Sequence, residues 1–253
     1  MPRSAPRWSS VRPALAALER WLLPGECLLC HAPAGADHAD PLICAPCRGR
    51  WQSLPEPQCS RCGQPLVQGI DCRLCAAWPA GLSGIRSAVW LDQPARRAVH
   101  LLKYQGWWRV SEPMALAMRR LPLGAAHTLI PIPLGPARLR SRGYNQSAVL
   151  ARALGKLCGA QVAEEVLLRR RDTATQTALT PEARAANLAG AFVAEGAPPP
   201  DPVLVDDVFT TGATLAEAAG ALLAAGAVRV TAVTFARATR PLAEAATVFG
   251  SPA

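Results

Sequence analysis

No apolar run in this 253-residue chain is long enough to cross a bilayer as a helix, which takes about 20 residues. That sets aside the class of helical membrane proteins. Acidic residues are few: 18 Asp and Glu stand against 27 Lys and Arg, a formal charge of +9. A chain so short of acid suits partners that bring negative charge, such as phosphorylated ligands or nucleic acid. A clear secretory leader is also missing. Arg3, Arg7 and Arg12 accompany an apolar stretch over residues 11–23, but Pro13, Glu19 and Arg20 interrupt it, and no small-residue cleavage site follows. Residues 14–23 read instead as an amphipathic helix within a lead-in segment over residues 1–24, and the protein is expected to be cytoplasmic. No motif that reads base edges is present. What is there in quantity is hydrophobic sequence, half of all residues, enough for a sizeable core in one or two domains.

Cysteine is concentrated rather than scarce. Eight of nine cysteines fall in the first third of the chain as four Cys-x-x-Cys pairs: Cys27/Cys30, Cys44/Cys47, Cys59/Cys62 and Cys72/Cys75. Each pair makes a knuckle that turns two sulfurs toward one ion, and tetrahedral zinc takes two knuckles. Thirteen residues separate Cys30 from Cys44 and nine separate Cys62 from Cys72, loops that suit a zinc ribbon. Pairing of neighbouring knuckles is the first expectation, with a crossed pairing still open. Disulfides do not fit a chain without a secretory signal, and redox chemistry does not call for four pairs in series. Four thiolates leave zinc no open position, so both Zn²⁺ ions are structural. Their thiolates also bring the charge down to about +5. His31 and His38 read as surface residues, Trp51 and Trp78 as apolar plugs in a segment otherwise rich in Pro, Gly and polar residues, and the lone Cys158 as a small buried side chain. The double zinc ribbon is expected over residues 25–80.

The most informative stretch is Val203-Leu-Val-Asp206-Asp207-Val-Phe-Thr210-Thr211-Gly212-Ala213-Thr214. Three apolar residues run into two carboxylates, a Thr/Gly loop and an alanine-rich helix. Open α/β sheets bind ligands where such a strand meets its helix. The loop offers backbone N–H groups and hydroxyls beside a positive helix end, which suits phosphate. The acids can accept sugar hydroxyls or hold hydrated Mg²⁺. Thr214 and Glu217 have capping-box spacing. Gly226 ends the helix, and a buried strand starts near Val228, completing a parallel β-α-β unit.

The middle of the chain alternates in the same way. A strand from Ser87, a helix over residues 94–104, a helix over 111–121, a strand over 129–134 and a helix over 147–157 are predicted. Short strands at 166–169 and 190–193 flank a polar insert. Arg138, Arg140 and Arg142 stand at alternate positions before Gly143.

The acid–Thr–Gly motif resembles the phosphoribosyl-pyrophosphate (PRPP) motif of type I phosphoribosyltransferases. The resemblance implies that Asp206 and Asp207, the catalytic candidates, contact ribose hydroxyls, and that Thr210, Thr211, Gly212, Ala213 and Thr214 cradle the 5-phosphate of PRPP, which brings Mg²⁺. It implies a pyrophosphate loop over residues 132–142, with Arg138, Arg140 and Arg142 as contacts. It also implies a closing loop over residues 170–189, with Arg171, Thr175, Gln176 and Arg184. Lys103 is a further pyrophosphate candidate. The four Cys pairs, His100-Leu-Leu-Lys103-Tyr104, Arg142-Gly-Tyr-Asn-Gln146 and the Asp-Asp-x-x-Thr-Thr-Gly segment together resemble the competence protein F family over nearly the whole chain. That resemblance implies a Rossmann-like parallel-sheet phosphoribosyltransferase domain over residues 85–240, a C-terminal tail over 241–253, and a link to DNA uptake. Transfer from PRPP to an unknown acceptor is the leading expectation, and a non-catalytic scaffold that binds single-stranded DNA or senses PRPP is the competing one.

Overall fold

The computed structural model describes residues 25–33, 42–66, 72–123, 128–171 and 190–238. The lead-in helix, His38, Thr175, Gln176, Arg184 and the C-terminal tail lie outside the described residues. The chain divides into two units between Arg50 and Trp51.

In the first unit, Glu26 and Pro33 form an antiparallel bridge flanking the first Cys pair. Helix α1 (Ala45–Gly49) starts beside Cys44 with a proline in its first turn, where a missing N–H costs nothing.

The second unit is a five-stranded, all-parallel sheet with helices on both faces. Its strands are β1 (Leu82–Trp90), β2 (Thr128–Pro131), β3 (Gln161–Val162), β6 (Val203–Phe209) and β7 (Val230–Arg237), in the order β1-β7-β6-β2-β3. A separate antiparallel pair joins β4 (Leu167–Arg169) to β5 (Phe192–Ala194). The helices are α2 (Gln93–Tyr104), α3 (Ser111–Met118), α4 (Pro136–Arg142), α5 (Gln146–Cys158) and α6 (Ala213–Ala224). Leu215, Ala218, Ala219 and Leu222 of α6 share one core with Leu82, Ile130, Leu204 and Ala232. Alternation along a strand puts Leu129, Val203, Val205 and Val233 on the other face, where α3 and α5 pack on the sheet. Being covered on both sides is why Val203, Leu204 and Val205 are all buried.

Local chemistry fixes the helix starts. The Asp92 carboxylate accepts from Ala95 N at 3.0 Å above α2, and Asn145 Oδ1 accepts from Ser147 N at 3.0 Å above α5. Gly143, at φ +81°, lets the chain turn from α4 toward α5. Several expected boundaries shift. Val228 is exposed and β7 begins at Val230, while α3 stops at Met118. Residues 136–142 are helical, not a loop, because Gly135 and Pro136 supply a helix start. Cys158, expected in the core, is exposed at the last position of α5.

β1 ends the sheet, and an open strand edge invites pairing with another chain. Here residues N-terminal to it close that edge. Ile85 N donates to Arg61 O at 2.7 Å, and Trp90 N donates to Gln52 O at 2.8 Å. Trp51 is buried with its ring 5.0 Å from that of Phe235, so it plugs the sheet rather than a zinc ribbon.

Candidate functional site

From β2 the chain passes to β3 on one side and, later, to β6 on the other. The carboxyl ends of β2 and β6 therefore flank the switch point where doubly wound sheets open a crevice. β2 delivers Ile132 and the start of α4, and β6 delivers Asp206, Asp207 and the turn into α6.

The two acids occupy different environments. Asp207 is only 2 % exposed. The ammonium of Lys103, at the end of α2, lies 2.5 Å from its Oδ2, and Gln146 Nε2 donates to its Oδ1 at 3.3 Å. Asp206 is half-buried, and its described contacts fall on Oδ1, which accepts from Ser147 Oγ at 2.7 Å and from Asp207 N at 2.9 Å. Burial, reinforced by the charge of Asp207, pushes the Asp206 carboxyl up to about 7. Burial alone would lower the Lys103 pKa, but Asp207 and Asp206 together hold it above the usual lysine range.

A polar chain supports this centre. Arg142 donates to Gln146 Oε1 and lies over the Tyr104 ring, 5.4 Å from its centroid. Tyr144 Oη donates to Leu102 O, and Asn145 Nδ2 donates to Ile132 O at 3.0 Å. Residues 142–147 thus tie the ends of α2 and β2 to the acids. The sequence pointed to the Arg-Gly-Tyr-Asn-Gln segment without assigning its Gln146, and Ser147 went unremarked. Their roles depend on tertiary placement beside β6.

Of the basic candidates, Lys103 contacts Asp207 directly, and Arg142 is linked to it through Gln146. Arg138 and Arg140 share α4 with Arg142. Arg138, four residues back, lies on the Arg142 face, whereas Arg140 is two residues from each and points about 200° away, so the three arginines do not form one face. Arg140 is exposed, and Arg171 is exposed just past β4.

The turn after β6 holds Thr210 exposed, Thr211 half-buried and Gly212 buried. Gly212 caps α6 at φ +82°. Helix α6 begins at Ala213, so Thr214 lies inside the first turn and is no N-cap. Glu217 Oε1 accepts instead from Gly190 N at 2.6 Å, and the expected capping box is absent. A Cβ on Gly212 would sit 2.4 Å from Trp78 Cζ2 and 2.9 Å from Phe209 Cε2. Both are ring atoms held in packing, so Gly212→Ala combines left-handed strain with a clash. The expected loss is about 2–4 kcal/mol in chemical denaturation. Gly220→Ala is the control, since its Cβ would meet Pro79 Cγ at 3.9 Å, an ordinary contact.

The cysteines gather as two local groups, Cys27/Cys30/Cys44/Cys47 and Cys59/Cys62/Cys72/Cys75, each with its sulfurs within 4.8 Å of one another. The pairing is therefore sequential, not crossed. Sγ–Sγ distances of 3.7 Å for Cys30–Cys44 and 3.8 Å for Cys59–Cys75 match a tetrahedron with Zn–S near 2.3 Å, whose edge is about 3.8 Å. Both groups fit structural zinc. Without a cation, burial pushes up the Cys62 and Cys75 thiols. Burial opposes ionisation of Cys59 too, but backbone N–H groups bring it down to about 7. A divalent ion removes the penalty on four thiolates sharing one site.

The double zinc ribbon domain family matches residues 18–76. DNA utilization protein YhgH of Escherichia coli O157:H7 is 33% identical over 221 residues, covering 82% of this chain and 95% of that protein. Competence protein F of Haemophilus influenzae is 28% identical over 188 residues, covering 69% of this chain and 81% of its own. Competence protein ComFC of Bacillus subtilis is 24% identical over 219 residues, covering 79% and 89% respectively. Among solved structures, orotate phosphoribosyltransferase from Aeropyrum pernix aligns over 65% of this chain and 86% of that one, with 19% identity and a TM-score of 0.32, a likeness too loose to carry an argument.

Proposed function

The chain belongs to the competence protein F family, which includes the YhgH proteins, and from that premise we propose that it binds PRPP, or a close ribose phosphate, with Mg²⁺ between β2 and β6, in the service of DNA uptake. One observation carries the reading: a carboxylate pair and a Thr-Thr-Gly turn leave one parallel strand together, at the topological switch point.

In this reading the residues divide the ligand. The turn at 210–214 and the first N–H groups of α6 take the 5-phosphate. Asp206 takes the ribose hydroxyls through the oxygen its described contacts leave open. Asp207, held by Lys103, acts by keeping that ammonium at the crevice. Lys103 and Arg142 face the pyrophosphate, with Arg138, Arg140, Arg171 and Arg184 as further candidates. The donor set fits Mg²⁺ at Asp206, a hard oxygen ligand, and the ion when bound supplies charge neutralisation for the leaving pyrophosphate. No side-chain nucleophile is required, because transfer from PRPP rests on positioning and charge stabilisation.

Titration calorimetry with PRPP, with and without Mg²⁺, tests this. Asp206→Asn is expected to weaken binding at least about tenfold, since a carboxylate–hydroxyl bond becomes a weaker amide one. Unaltered affinity sinks the assignment. The sign of the pH effect follows from the raised carboxyl. Between the unfolded value near 4 and the folded value of about 7, the folded protein holds the extra proton. Stability from Asp206 is therefore complete below about pH 4 and lost as pH rises through about 7. Binding that needs the carboxylate strengthens over the same rise, and Asp206→Asn flattens both trends.

A second reading, a single-stranded-DNA-binding or PRPP-sensing scaffold, draws on one feature. Trp107 and Trp108 are 42% and 52% exposed just after α2, and the exposed Tyr104 ring that ends α2 carries the Arg142 guanidinium. Exposed rings beside cations suit stacking on bases. Pyrophosphate release on mixing with PRPP and candidate bases favours the transferase. Salt-sensitive binding of single-stranded DNA that is lost in Trp107→Ala/Trp108→Ala favours the scaffold.

A further inference from the structure

We infer that the second four-cysteine group is the foundation of the phosphate turn, and that Trp78 and Arg237 are the positioning residues that connect them. The inference rests on the ligand reading above for what the turn binds, but not for the coupling itself.

Three contacts carry it. The Trp78 indole fills the space where Gly212 lacks a side chain, and its ring stands edge-on to Phe209 with centroids 6.0 Å apart. Phe209 ends β6 and opens the turn. Its other neighbour is the guanidinium of Arg237, 4.1 Å from the ring centroid. Arg237 is only 2 % exposed, and it reaches into the cysteine group. Nη1 donates to Cys62 O at 2.8 Å, and Nη2 donates to Gln64 Oε1 at 2.7 Å. A buried guanidinium is retained at high desolvation cost, so it is held where its hydrogen bonds are supplied.

The other knuckle is clasped as well. Arg61, between Cys59 and Cys62, donates from Nη1 to Cys75 O at 2.8 Å, and from Nη2 to Trp78 O at 2.9 Å and Pro79 O at 2.5 Å. One arginine thus fixes the backbone that presents Trp78, and the other bridges Cys62 to Phe209. Trp78 and Leu74 pack against the buried sulfurs and also against the sheet core. The geometry of residues 209–212 is therefore set from two sides by side chains whose own placement depends on the metal-bound fold of residues 59–66 and 72–79.

The experiment is amide hydrogen exchange on the zinc-loaded, ligand-free protein. Trp78→Ala removes the wall against the turn and leaves all eight paired cysteines in place. Expected results are two zinc ions still bound by elemental analysis, exchange at residues 209–214 faster by about tenfold, and unchanged exchange in α5. Trp78→Phe, which keeps an aromatic edge on Phe209, restores slow exchange. Wild-type exchange at the turn in Trp78→Ala with both metals bound overturns the inference. So does failure of Trp78→Phe to rescue, which would mean that the residue only fills space. Titration of the same variants with PRPP separates this inference from the function. If wild type binds no PRPP while exchange responds as described, the coupling stands and the ligand assignment falls.

Discussion

Lys103→Met is expected to lower the unfolding free energy by about 3–5 kcal/mol, the usual consequence of stranding a buried charge. The cause is the environment of Asp207. Its carboxylate is nearly sealed from water, and the Lys103 ammonium at 2.5 Å is the charge that balances it. Methionine keeps the length and most of the packing of lysine but no cation. Asp207 is then left buried beside no balancing cation. The double variant Lys103→Met/Asp207→Asn removes both charges and is expected to recover most of the loss. Equal stability of the single and double variants would show that Asp207 does not feel Lys103. PRPP affinity should fall in both, because Lys103 is assigned to the pyrophosphate as well as to the acid.

Removal of zinc has the largest expected effect. Among the described residues, the second cysteine group has a core of Cys59, Cys62 and Cys75 with Leu66, Cys72, Leu74 and Trp78 packed against it. So few apolar side chains cannot order a segment of this size alone, whereas structural zinc on thiolates brings about 10–16 kcal/mol of apparent binding energy near pH 7. A strong chelator should release two Zn²⁺ per chain, abolish exchange protection at residues 59–66 and 72–79, and expose the β1 edge that Arg61 O now occupies. Aggregation should follow, as for any uncovered strand. An unchanged melting temperature after verified loss of both ions would refute a structural role for the metal.

Much of this was legible in the sequence, for identifiable reasons. Cys-x-x-Cys spacing is a local geometric fact, so the four knuckles and the two metal groups could be read directly. The β6–turn–α6 segment is also local, and its apolar run, acids and Thr-Thr-Gly stand in chain order. Features set by neighbours distant in sequence were not legible. Arg237 and Arg61 resemble any surface arginine until the sheet folds one under Phe209 and the other across the Trp78 backbone. The different environments of Asp206 and Asp207 need α2 and α5 in place. Cys158 was misplaced because the apolar pattern of α5 does not say that its last turn faces water. The capping box failed because Gly212, free to adopt φ +82°, starts the helix two residues early and leaves Glu217 to hold Gly190.

The pairing of β1 with β7 has a consequence for how the chain is made. Ser87 Oγ and Thr234 Oγ1 meet at 2.7 Å across 147 residues of sequence. A ribosome adding about 5–20 residues each second needs roughly seven to thirty seconds to go from one strand to the other. Throughout that interval the earliest strand has nothing to lie against on its inner side. The cysteine group that guards its outer side must hold it, and the final closure waits for the last strand of the sheet to be translated.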